Sequence, residues 1–195
     1  MTLLEELLAG NRRFVADGWN PTDRELAAPP TRGLAVVACM DTRYNVEKVL
    51  GLEHGDAKII RNAGNIVDDG TLRSLIIAVH RLHVEHVAIM GHTKCSMTTV
   101  GRGEFRIARS IAEKTDVALH EVMKPDFQRW LGGFDDVEEQ VRRSVSLVRG
   151  HPYMPRSLDV FGLLYDNDNG RVRPTQAVAM PAPTEVPGKK ASKRA

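Results

Sequence analysis

Cys39 and Cys95 are the only two cysteines of the chain, and each stands among residues that can bind or activate a ligand. The first motif reads Cys39-Met40-Asp41-Thr42-Arg43 and the second His92-Thr93-Lys94-Cys95. Zinc takes thiolate and imidazole ligands in a tetrahedral arrangement, so Cys39, His92 and Cys95 offer three donors. A structural zinc site is normally closed by a fourth Cys or His. With no third cysteine in the chain, the fourth position falls to water, substrate or a carboxylate, which is the catalytic pattern. Zinc in such a site lowers the pKa of a bound water to about 7. Two thiolates and a neutral imidazole leave the site formally neutral and the ion a weaker acid than three imidazoles would. A neighbouring group that orders the water or accepts its proton would then help.

Asp41 and Arg43 meet that need. Asp41 follows Cys39 by two residues and in extended geometry points to the same side. Arg43 can grip its carboxylate bidentately and keep it ionised. The carboxylate can then accept from the water, an active arrangement, or swing in and take the fourth position itself, a closed one. Lower pH would favour the closed arrangement and higher pH the open one.

Simpler readings exist for each residue. A lone cysteine is most often a small buried hydrophobe, and Asp41 with Arg43 can be a local ion pair. Two cysteines can also form a disulfide, but a reducing cytoplasm and the Asp, Arg and His neighbours argue against one. The company each cysteine keeps favours the metal. His54, His80, His83, His86, His120 and His151 have no partner motif. Trp130 and Phe134 read as core or interface, and Lys189-Lys190 with Lys193-Arg194 as a solvated tail.

The surrounding sequence says what positions the two motifs. Thr2 and Glu5 form a capping-box pattern, and Leu3, Leu4, Leu7, Leu8 and Phe14 at helical spacing predict an amphipathic helix over 3–16. Residues 17–33 read as an irregular arm. The apolar run 34–38 predicts a strand buried on both faces, as in a parallel sheet. A helix is expected from Asp41 to Leu50, a strand over 57–60, a helix over 69–82 with Asp68 and Asp69 favouring its dipole, and a strand over 86–90. Helices over 104–115 and 136–149, a strand over 158–165 and a turn at 168–170 complete the pattern. This alternation predicts an α/β fold, a single domain with a mostly parallel central sheet flanked by helices. Ligands of open parallel sheets bind beyond the carboxyl ends of the strands. Cys39 and His92, each directly after a strand, are thereby brought to one edge.

On these motifs the chain resembles the β-class carbonic anhydrases of the small bacterial type. The likeness lies in C-x-D-x-R at Cys39-Met40-Asp41-Thr42-Arg43, in H-x-x-C at His92-Thr93-Lys94-Cys95, and in Arg61-Asn62-Ala63-Gly64, similar to the family's second-strand loop beside the zinc. The resemblance implies a zinc enzyme for the reversible hydration of carbon dioxide to bicarbonate. It implies Cys39, His92 and Cys95 as the Zn2+ ligands, Asp41 and Arg43 as the catalytic dyad, and a small apolar substrate pocket at Ala63 and Gly64. It further implies a homodimer or higher homo-oligomer. Ser96 and Met97 depart from the Gly that many relatives carry after the second cysteine, and no clear counterpart stands for the cleft glutamine of some relatives. Relatives that hydrolyse carbonyl sulfide or carbon disulfide supply the alternative on the same scaffold. A non-enzymatic zinc module is disfavoured by the missing fourth ligand.

Composition agrees with a soluble enzyme. The 195 residues suit one domain, and the formal charge of +2 predicts no nucleic-acid partner. No apolar run is long enough to span a membrane, and the N-terminus lacks a secretory pattern, so a cytoplasmic location is expected. The expected organisation is an N-terminal helix and arm over 1–33, the zinc-binding α/β domain over 34–175, and a disordered Pro-, Ala- and Lys-rich tail over 176–195.

Overall fold

Thr2 and Glu5 make the expected capping box. The Thr2 hydroxyl accepts from the Glu5 amide and the Glu5 carboxylate from the Thr2 amide, at 3.3 and 2.7 Å. They start helix α1 (Leu3–Arg13), which widens into a π-type turn over Phe14–Gly18 instead of continuing as α-helix. The arm that follows contains one 3-10 turn over Pro21–Glu25. The computed structural model describes residues 1–101 and 105–175. The tail expected over 176–195 lies outside the described residues, as does the expected helix start at 104.

The apolar run becomes strand β1 (Leu34–Cys39), buried at every position but the first. No helix begins at Asp41. Its carboxylate accepts the Arg43 amide at 2.9 Å, a local turn that competes with helix. Helix α2 (Val46–Leu50) starts only where Asn45 caps the Lys48 amide, and it stops at Gly51 in a left-handed conformation. Then come β2 (Ala57–Asn62), α3 (Asp69–Leu82) with Asp68 capping Thr71, and β3 (His86–His92). Short helices α4 (Met97–Gly101), α5 (Arg106–Lys114), α6 (Leu119–Val122) and α7 (Pro125–Leu131) lead to the longer α8 (Val137–Gly150). Strands β4 (Asp159–Tyr165) and β5 (Val172–Pro174) complete the sheet.

The strand order is β2-β1-β3-β4-β5. All pairs are parallel except β4 with β5, so the α/β architecture with a mostly parallel sheet is as expected. The short antiparallel edge strand β5 had no sequence signal. Alternating residues of β1 and β3 feed two cores. Ala35, Val37, Val87 and Ile89 pack with Leu75 of α3 and with Val141, Val145 and Val148 of α8. Val36, Ala38, Ala88 and Met90 pack on the other face with Tyr44, Val46 and Tyr165. Helix α8 lies so close on β3 that a Cβ at Gly91 would stand 2.7 Å from Val137 and 2.8 Å from Val141.

Candidate metal centre

Strand β1 has β2 on one side and β3 on the other. The chain therefore reverses its direction of winding between β1 and β3, and the crevice beyond their carboxyl ends is the favoured ligand site of such sheets. Both strands run longer than the sequence predicts, and Cys39 and His92 are their last residues instead of lying beyond them. The chain after His92 turns sharply through Lys94, whose φ of 56° is left-handed, and this returns Cys95 to face Cys39.

The two thiols are free, with sulfurs 4.0 Å apart. Donor atoms of Cys39, His92 and Cys95 all lie within 4.8 Å of one another, and each residue is buried. Among the described residues no other group of three acidic, His or Cys side chains is so placed. Burial pushes both thiols up. The hydrogen bond between them acts oppositely on the two partners, holding Cys39 well below the usual thiol range and raising Cys95. The Gly64 amide also lowers Cys39, donating to its sulfur at 3.4 Å. A second thiolate beside the first requires a cation to offset it.

His92 is oriented from behind. Its Nδ1 stands 2.9 Å from the Thr93 carbonyl, which can only accept, so the ring proton is assigned to Nδ1. Asn167 packs on the same edge, with Nδ2 2.9 Å from Nδ1 and donating to the Thr93 carbonyl at 2.6 Å. The lone pair then sits on Nε2, which is fully buried and has no hydrogen-bond partner. A buried unpaired polar atom is costly, about 1–3 kcal/mol, and calls for an explanation. A metal ion supplies one. Two sulfurs bound to a tetrahedral zinc stand roughly 3.8 Å apart, close to the spacing found here. The donor set thus fits a thiophilic divalent ion, with the tautomer fixed as metal-bound histidines are fixed.

Asp41 and Arg43 complete the site. Arg43 Nε reaches both carboxylate oxygens at 2.9 and 3.0 Å, and Nη2 reaches Oδ2 at 2.5 Å. These bonds hold the Asp41 carboxyl down at about 2 against its usual 3.8. Arg43 also donates to the Lys94 carbonyl at 3.0 Å, tying the first motif to the second. Asp41 Oδ2 lies 3.8 Å from His92 Nε2, so the carboxylate borders the donor cluster while Arg43 occupies it.

A cavity of about 430 Å³ opens over these groups, lined by Cys39, Met40, Asp41, Arg43, Ala63, Gly64, Ser96 and Met97. All seven residues expected at the site are thus brought together: the three donors, Asp41 and Arg43, and Ala63 with Gly64. Met97 and Phe134 pack beside the thiols in a small apolar cluster, whereas Trp130 is 77% exposed. Sequence reasoning missed Asn167, Tyr44 and the roles of Thr93 and Arg61. The Asn167 neighbourhood was legible only as a turn.

Comparison with known proteins adds the following. A family model described as carbonic anhydrase matches residues 34–172. Beta-carbonic anhydrase 1 of Mycobacterium tuberculosis is 30% identical over 172 residues, 88% of this chain and 97% of that protein. A carbon disulfide hydrolase of Acidithiobacillus thiooxidans is 30% identical over 179 residues, 85% of this chain and 78% of that protein. The crystal structure of a carbonic anhydrase from Streptococcus mutans superposes with a TM-score of 0.76 at 31% identity, covering 90% of this chain and 99% of the other.

Proposed function

This chain belongs to the β-carbonic anhydrase family, and from that premise we propose that it catalyses the zinc-dependent, reversible hydration of carbon dioxide to bicarbonate and a proton. The observation that carries the reading is the buried, unpartnered Nε2 of His92 between two free thiols, with an ionised carboxylate at its edge. Cys39, His92 and Cys95 would hold the metal. Zinc bound there supplies Lewis acidity, which makes water nucleophilic near neutral pH. The protein's own residues do the rest. Asp41, kept ionised by Arg43, is an acceptor for the proton of the attacking water and so orients it. Arg43, fixed to both Asp41 and the Lys94 carbonyl, holds that acceptor in one place. Met40, Ala63, Gly64 and Met97 give an apolar wall against which a small uncharged substrate can rest. Bicarbonate leaves when water replaces it.

The test is stopped-flow carbon dioxide hydration on metal-quantified protein. Cys39→Ser and His92→Ala should each lose zinc and activity together, and full activity in either would sink the assignment.

A second reading keeps the metal and changes the electrophile to carbon disulfide or carbonyl sulfide. It is supported by the carbon disulfide hydrolase relative, 30% identical like the mycobacterial carbonic anhydrase, and by the apolar wall, which suits all three molecules. Turnover measured side by side on the three substrates separates the readings.

The catalytic part is read as 34–175, with 1–33 as a helix and arm. A homodimer or higher homo-oligomer is proposed, on the support of the exposed Leu3, Leu4, Leu7, Leu8, Phe14, Val15 and Trp19. Among the described residues no helix is long and apolar enough to cross a membrane. A reducing cytoplasm is the setting proposed for the free thiols.

A further inference from the structure

Beyond Cys39 the chain leaves the sheet. The last bond holding it to β2 is from the Met40 amide to the Asn62 carbonyl at 2.8 Å. The carbonyls of Cys39 and Asp41, on either side of Met40, then need donors of their own. Arg61 supplies both. It sits opposite Ala38 in the β1–β2 register, and its side chain extends along the sheet past the strand end. Nε donates to the Cys39 carbonyl at 2.9 Å and Nη2 to the Asp41 carbonyl. The guanidinium lies 5.3 Å from the centroid of the Tyr44 ring, within cation–π range. Tyr44 adds its own hydroxyl to the Cys39 carbonyl at 3.3 Å. The Tyr44 ring is buried and stands 5.5 Å from His92. Among the described residues no carboxylate pairs with Arg61, although its side chain is exposed to solvent.

We infer that Arg61 is a positioning residue for the metal centre. By clamping the carbonyls of Cys39 and Asp41 it fixes the two peptide planes from which the first thiolate and the acidic acceptor project, and so sets the spacing between them. The inference rests on the assignment of Cys39 and Asp41 to a zinc site. A planar fork of charged donors holds two carbonyls two residues apart in fixed geometry, which an ammonium on a flexible stem does less rigidly. Both bonds go to main-chain carbonyls and neither to the Cys39 thiol nor to the Asp41 carboxylate. Arg61 thus acts through the backbone and not on the reacting atoms.

The test uses the full-length protein with zinc or cobalt(II) bound, as wild type, Arg61→Ala and Arg61→Lys. Zinc affinity is read by competition with a chromophoric chelator, and ligand geometry by the visible spectrum of the cobalt form. Loss of such an outer partner lowers metal affinity about 10- to 100-fold, and that drop is expected for Arg61→Ala, with a changed cobalt spectrum. Arg61→Lys, able to reach one carbonyl, should fall between. Wild-type affinity and spectrum in Arg61→Ala would overturn the inference. If Arg61→Ala does not fold, Arg61→Lys carries the test, intermediate affinity supporting the clamp and wild-type affinity overturning it. Zinc-loaded wild type that hydrates no carbon dioxide would sink the proposed reaction and leave the clamp standing. Zinc affinity indifferent to Arg61 would do the reverse.

Discussion

Asp41 is the residue on whose charge the proposed chemistry turns. Its carboxyl is lowered from 3.8 to about 2, first by the side-chain hydrogen bonds from Arg43. A depressed carboxyl contributes stability that is present above its unfolded value and is lost as pH falls through the folded one. The metal-free protein should therefore lose a part of its stability between pH 4 and 2, roughly the window set by those two values. The Asp41→Asn variant should lack that part, and urea unfolding followed against pH in both proteins checks it. At neutral pH the carboxylate is ionised throughout, so protonation of Asp41 does not explain a rate change near pH 7, and a switch that worked by protonating it is disfavoured. Asp41→Asn should bind zinc and lose about 100-fold in kcat/KM, the low end for removal of a positioned proton acceptor. An Asp41→Asn enzyme as fast as wild type would remove Asp41 from the mechanism. The five polar residues of the site were legible because they are chemically distinctive types in two short motifs. Asn167, Tyr44 and the roles of Thr93 and Arg61 were not. Thr93 and Arg61 act through main-chain carbonyls, which carry no residue-type signal, and Asn167 meets His92 across 75 positions of sequence.

At the scale of elements, the loop from β2 to α3 is the part that couples the fold to the thiols. Asn62 bonds the Ile66 amide at 2.9 Å, the Ile66 carbonyl at 2.7 Å and the Thr71 hydroxyl at 3.0 Å, locking the loop to the first turn of α3. That leaves Gly64 with a φ of 77° and its amide aimed at Cys39. A Cβ there would stand 2.9 Å from both Met97 and Phe134. Gly64→Ala is expected to destabilise by about 1–2 kcal/mol from the left-handed backbone alone, with overpacking adding about 1–3 kcal/mol. Thermal unfolding measures the sum, and a chelator competition should show weakened zinc binding because the amide moves off the sulfur. The other end of the loop offers a milder test. Asp68, whose carboxyl is lowered first by the Thr71 amide, caps α3, and Asp68→Ala should lose about 1 kcal/mol. Denaturant titration at pH 7 reads that difference, which should shrink in acid as the cap protonates. The parallel strands and the long helices were legible because a doubly buried strand must be continuously apolar and a surface helix must repeat near 3.6 residues. The late start of α2, the short helices α4, α6 and α7, and the edge strand β5 were not. Each is too short to show a period, and each is set by a cap, a turn or a neighbour.

At the scale of the molecule, the site and the N-terminal helix make separate demands. Cys39, His92, Cys95, Asp41 and Arg43 all come from one chain and are already assembled in it. Helix α1 buries none of its residues, although Leu3, Leu4, Leu7 and Leu8 form an apolar stripe 51–70% exposed. Apolar surface of that kind on a stable protein marks an interface, and closed symmetric pairing of identical copies is the commonest way to cover it. If α1 is the association element, breaking it should separate oligomerisation from metal binding. Burying one Leu is worth about 2 kcal/mol, and each 1.4 kcal/mol is about tenfold in a dissociation constant. Leu4→Glu with Leu8→Glu in every copy should then raise the dissociation constant at least about 100-fold. Sedimentation velocity at micromolar concentration should show the wild type as an oligomer and the double variant shifted towards monomer. Zinc content should stay at one ion per chain in both. An oligomer that resists the double substitution would place the interface elsewhere on the molecule. A monomer that loses its zinc would show that a second copy completes the centre, against the single-chain assembly of the five residues.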